Sequence, residues 1–113
     1  MPGKSKRTHR TAELIQKIIA LALLKEVSDP RLSKITITGV DLSPDFKQAI
    51  VFFSMLDPTD EFIQSAENAF KKAEGFFRLL LSRSTELRHT PKLFFRYDMT
   101  PITAERISDL LRE

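Results

Sequence analysis

From Thr8 to about Glu26, apolar residues return every three or four positions. Leu14, Ile18, Leu21 and Ala22 form one stripe, widened by Ile15, Ile19 and Leu23. That spacing predicts an amphipathic helix with one face toward a core. The helix must stop before Asp29-Pro30, because proline disfavours the helical conformation in the residue that precedes it. The period then shortens to two. ITITGVDLS (35–43) and KQAIVFFSM (47–55) are rich in β-branched and aromatic residues and read as strands. Pro44-Asp45 between them is a turn signal, so the two strands should pair as an antiparallel hairpin. Apolar parity changes within the first strand: Ile35 and Ile37 are odd, Val40 and Leu42 even, with Gly39 at the switch. A β-bulge there would re-aim the later side chains.

Thr59 suits an N-cap, with Asp60 and Glu61 in the turn that follows. A helix is expected from there to about Ala73, burying Phe62, Ile63, Ala66, Ala69 and Phe70. A second helical stretch, Phe76 to about Glu86, should bury Phe76, Phe77, Leu80 and Leu81. LFFRYD (93–98) reads as a third strand. Thr100-Pro101 can open a last short helix, with Ile107, Leu110 and Leu111 facing in. If the helical link from strand two to strand three is a right-handed crossover between neighbours, those strands are parallel. The fold class is therefore α+β, in the order α-β-β-α-(kink)-α-β with a short terminal helix. The sheet is mixed and three-stranded, with the helices on one face.

The kink rests on KKAEGFFR (71–78), where a glycine falls inside a helical pattern. Glycine in a helix interior costs about 1 kcal/mol relative to alanine. One unbroken helix of roughly 28 residues would be about 42 Å long. That is long beside a radius of gyration of about 13 Å for a compact domain of this size. A break at Gly75 is expected, with the glycine left-handed and small Ala73 letting two helices approach. The first N–H groups of the helix after the break would then be free to meet an anion.

The chain has 113 residues with no cysteine and no tryptophan. No disulfide framework is possible, and no apolar run reaches the roughly 18 residues that span a bilayer. A soluble, cytoplasmic protein is expected, with residues 1–7 a basic flexible arm and 8–113 a single domain. The net charge of +3 is unevenly spread. Residues 1–34 hold eight Lys/Arg against three acids, and residues 71–92 hold six against two. Residues 35–70 between them hold one Lys against six acids. Two basic blocks around an acidic one suggest one positive face and a polyanionic partner, unless the charge is only solvated surface.

Several of these segments occur together in one known family. Arg7-x-x-Arg10 opens the first helix, Asp29-Pro30-Arg31-Leu32 follows it, and two strands flank a Ser-x-Asp turn. Ala73-Glu74-Gly75 and LRHTPKLFFRYD (87–98) complete the set. From Arg7 to Leu111 the chain resembles the ribosome-binding factor A family. The resemblance implies a type-II KH-like fold in which Ala-x-Gly, here Ala73, Glu74 and Gly75 at the interhelical kink, replaces the Gly-x-x-Gly loop of KH domains. The only glycines are Gly3, Gly39 and Gly75, so no Gly-x-x-Gly exists. Recognition of folded RNA by shape and charge is then expected over clamping of single strands. The resemblance further implies a partner in 16S rRNA on immature 30S small ribosomal subunits, a role in late rRNA maturation, and support of growth in the cold. A monomer is expected off the ribosome, with no membrane, cofactor or small-molecule substrate. Some family members carry a longer C-terminal tail than this chain, which ends at Glu113.

The candidate RNA contacts are Lys4, Lys6, Arg7 and Arg10 at the N-terminus, Arg31 after Asp29-Pro30, and Lys71, Lys72, Arg78 and Arg83 around the glycine. Arg88 and Lys92 flank the Pro91 loop. Arg31 could equally be held by Asp29 in a helix-ending turn. Phe52, Phe53, Phe94, Phe95 and Tyr97 could stack bases, but most should be core, since adjacent strand residues point to opposite faces. His9 and His89 are isolated, and neither zinc-ligand spacing nor a nucleotide-binding glycine loop occurs. No enzymatic activity is expected. The other functions open to such a chain are a protein–protein adaptor, using the sheet face and acidic residues 57–67, and an ordinary KH module for single-stranded RNA.

Overall fold

In the computed structural model, residues 5–99 are described, apart from 85 and 88. Helix α1 (Lys6–Lys25) is followed by a 3-10 turn (Pro30–Leu32) and strands β1 (Ile35–Leu42) and β2 (Gln48–Met55). Helix α2 (Asp60–Ser82) and strand β3 (Lys92–Tyr97) complete the order. The sheet runs β1-β2-β3, with β1 antiparallel and β3 parallel to β2. This is the α+β architecture with a three-stranded mixed sheet expected from the pattern. Lys4, Arg88 and the terminal helix read over 101–111 lie outside the described residues.

The bulge falls where parity demanded it. Ile37 pairs with Phe53 and Gly39 with Phe52, which leaves Thr38 as the extra residue. Val40 and Leu42 thereby face the same side as Ile37, opposite Val51 and Ala49. On β2 and β3 the odd positions Ala49, Val51, Phe53, Leu93, Phe95 and Tyr97 are buried. Both helices cover that side, α1 with Ile15, Ile19 and Ala22, α2 with Ala66, Phe70, Phe77 and Leu81. Phe70 stacks on Phe95 at 4.3 Å between ring centroids and meets Phe53 at 5.0 Å. Such pairs add about 0.5–1.5 kcal/mol each beyond the area they bury.

Three expectations are corrected. Residues 1–7 are not wholly an arm, because Ser5 caps α1 and Lys6 and Arg7 form its first turn. The helix does not break at Gly75: α2 is a single helix of 23 residues, and no glycine among the described residues has positive φ. At 1.5 Å per residue it spans about 34 Å. The molecule is a plate of 50 × 39 × 18 Å, not a sphere, so such a helix fits along one face. Phe70, Phe77 and Leu81 anchor α2 on both sides of Gly75, and their burial far exceeds the roughly 1 kcal/mol cost of the glycine. Lastly, Phe62 and Phe76 are 57% and 38% exposed where burial was expected, since the helix turns them away from the sheet.

Candidate nucleic-acid interface

The outer face of α2 is built by helical spacing alone. Lys71 and Lys72 stand at i−4 and i−3 from Gly75, and Arg78 and Leu79 at i+3 and i+4, so all four border the glycine on one surface. All five residues are exposed, Leu79 at 51%. Gly75 therefore leaves bare backbone at the centre of a cationic face. An ideal Cβ placed there meets nothing within 4 Å, so no packing among the described residues requires the glycine. Because the helix continues, the amides after Gly75 are not free, and the anion site expected from a broken helix is withdrawn. What remains is a surface of side-chain charge.

The cations on this face are not equivalent. Arg78 lies 3.7 Å from Glu74, one turn back. The same carboxylate accepts the Leu93 backbone N–H at 3.2 Å, which ties α2 to the edge strand β3. Glu74 is thus a tie between elements, not part of a hinge. Lys71, Lys72 and Arg83 make no ion pair among the described residues. Arg83 is the C-cap of α2, where positive charge complements the helix dipole.

Arg31 sits in the 3-10 turn, which packs against α2. Asp29 caps that turn by accepting the Arg31 backbone N–H at 2.9 Å and holds the guanidinium at 2.7 Å. The Arg31 side-chain hydrogen bond, with the backbone bond, lowers the Asp29 carboxyl to about 2, and nearby Lys72 contributes. Arg31 is thus held in an ion pair by Asp29, and the charge of Lys72 acts on the same carboxylate.

At the other end of α2, Arg78 and Lys92 line one cleft with Asp45, Lys47 and His89. The turn there is closed by Asp45, which accepts the Ser43 hydroxyl at 2.7 Å and the Lys47 N–H at 3.0 Å. Both bonds lower the Asp45 carboxyl, the Ser43 bond most. Arg7 lies over the Phe46 ring at 5.9 Å, which brings the start of α1 to this corner. The first turn of α1 contains no acid. Lys6 and Arg7 there oppose the helix dipole, typically by a few tenths of a kcal/mol each, and a bound phosphate would relieve that opposition. Arg10 is exposed on the same helix.

The structure thus gathers Arg7, Arg78 and Lys92 at one corner and Arg31 with Lys72 at another, joined by Lys71 along α2. Sequence reasoning passed over Lys47 and set Arg96 aside as a strand residue that could pair with an acid on a neighbouring strand. Both stand on the hairpin or sheet, and only strand register shows which elements they adjoin. Among the described residues no group of His, Cys, Asp or Glu could hold a metal ion. No described helix is long and apolar enough to cross a membrane.

Comparison with known proteins agrees with this architecture. The family model for ribosome-binding factor A matches residues 7–111. A ribosome-binding factor A from Coxiella burnetii is 48% identical over 107 residues, covering 95% of this chain and 88% of the relative. A Thermotoga maritima protein of the same family name has a solution structure that matches with a TM-score of 0.65 at 27% identity. The match covers 84% of this chain and 90% of that one. A Thermus thermophilus ribosome-binding factor A homology model, fitted into a cryo-EM map of a 30S complex, matches in fold at a TM-score of 0.64 and 24% identity. It covers 79% of this chain and 93% of its own. With the family model spanning nearly the whole chain and close relatives along most of its length, this chain belongs to the ribosome-binding factor A family.

Proposed function

We propose that the chain docks on immature small ribosomal subunits through the outer face of α2 and assists late maturation of 16S rRNA, including in the cold. The observation that carries this reading is the bare glycine among exposed Lys71, Lys72 and Arg78, where no packing among the described residues calls for the glycine. A missing Cβ lets a sugar–phosphate backbone come close to the helix, and the lysines neutralise phosphate. Contacts of this kind read shape and charge and carry no base code, which suits folded rRNA. Arg31 and Arg83 would extend the surface at its ends, and Arg7, Arg10 and Lys92 would extend it around the β3 corner. Lys4, Lys6 and Arg88 would add phosphate contacts. The Thermus relative placed in a 30S complex supports the choice of partner. Sedimentation of lysate through a gradient tests it: the chain should travel with free small subunits and be absent from translating ribosomes. An even distribution over all ribosomal fractions would reject the reading.

One feature favours a protein-adaptor role beside this one. A cavity of about 490 Å³ lies between the 3-10 turn, β1, β2 and the start of α2. Leu56 and Phe62 line it and are largely exposed. An adaptor acting there would keep its partner after nuclease treatment and lose it on Leu56→Ser.

A further inference from the structure

Not every strand aromatic is core. Phe53, Phe95 and Tyr97 are buried, but Phe52 and Phe94 point to the sheet face opposite the helices and are half-buried. Register places Ile50 beside Phe94 and Phe52 beside Arg96, so apolar surface on β2 adjoins a row on β3. Along that row Lys92, Phe94 and Arg96 alternate with core residues and share one face, each about 6.7 Å from the next. Both cations lean on the ring: Lys92 Nζ is 5.5 Å from the Phe94 centroid and the Arg96 guanidinium carbon 5.9 Å. Lys92 and Arg96 are exposed. Two acids share this face, Asp98 two residues beyond Arg96 and Asp41 beside Ile50, and the Arg96 guanidinium donates to the Phe95 carbonyl at 3.0 Å. Asp41 is on β1, and Asp98 follows β3, where it accepts the Thr38 hydroxyl at 2.6 Å. Lys92 also lines the cleft that contains Arg78, so the row continues the cationic surface of α2 around the β3 edge.

A ring with a cation on either side is what a nucleotide needs when its base is unpaired. The base stacks on the ring and the phosphates meet the charges, whereas a base inside a duplex presents no free face. We propose that Phe94, with Lys92 and Arg96, is a stacking site for an unpaired nucleobase, on a strand that leaves the α2 surface and crosses the edge of the sheet. The site rests on the RNA-docking reading above and adds to it a preference for rRNA that is not yet fully paired.

The test uses two RNAs, an unpaired hexamer with a central 2-aminopurine and a fully paired hairpin. The wild-type chain should quench the fluorescent base on binding, and Phe94→Tyr should do the same. Phe94→Leu, which keeps the position apolar, should abolish quenching and weaken hexamer binding about tenfold, with hairpin binding unchanged. Circular dichroism checks that the variant folds. Lys71→Glu/Lys72→Glu should weaken both RNAs. Absence of quenching by the wild type, or quenching that survives in Phe94→Leu, overturns the stacking site and leaves the docking surface standing. Hairpin binding that survives the lysine reversal overturns the docking surface itself.

Discussion

Gly75→Ala separates the two reasons a helix can contain a glycine. If the backbone needed a left-handed or broken conformation at this point, alanine would strain it and the protein would lose stability. In the structure Gly75 is helical, and the added methyl meets nothing within 4 Å. The intrinsic helix preference of alanine should therefore be realised nearly in full, about 1 kcal/mol, with much of it arising from the less flexible unfolded chain. In a domain of this size that corresponds to a rise of about 4–8 °C in Tm. Thermal and urea unfolding followed by helical circular dichroism would measure it, with an unchanged urea slope showing that only stability has moved. The same methyl stands in the middle of the cationic face, so affinity for small subunits should fall while stability rises. A lower Tm for Gly75→Ala would refute the continuous helix and restore the kink.

Other expectations follow from single interactions. Glu74→Ala removes the acceptor that ties Leu93 to α2 and should cost about 1–2 kcal/mol in urea unfolding, while Glu74→Gln, which keeps an acceptor oxygen, should cost less. Asp29 should titrate by carbon-detected NMR at about 2, against 3.8 when unperturbed, and Arg31→Ala should bring it back toward 3.8. Because the folded value is depressed, the stabilisation from this pair is complete above pH 3.8 and fades as pH falls toward 2. Tyr97 Oη is buried with no hydrogen-bond partner among the described residues. Tyr97→Phe should then keep or raise stability, by up to about 1 kcal/mol, and a clear loss in thermal unfolding would reveal a partner for the hydroxyl.

Much of the fold was legible because its signals are local. The parity switch around Gly39 located the bulge, and the long helical link between β2 and β3 implied parallel pairing. Gly75 was misread because a preference of about 1 kcal/mol was weighed against a length estimate for a sphere, when the packing is a two-layer plate. The lysines of α2 could be read from charge blocks and helical spacing. The corner joining Arg7, Lys47, Arg78 and Lys92 could not, since those residues come from four separate elements or turns. The row around Phe94 required register as well: sequence alone leaves open which ring of Phe94-Phe95 faces the helices.

The most direct test of the docking surface is the salt dependence of binding to purified free small subunits, for the wild type and for Lys71→Glu/Lys72→Glu/Arg83→Glu. The wild type should weaken steeply as potassium chloride rises. The variant, with unchanged circular dichroism, should bind more weakly at low salt, with a log–log slope shallower by close to one unit for each phosphate it no longer neutralises. Equal affinity and equal slope for the two proteins would show that the outer face of α2 does not touch the ribosome.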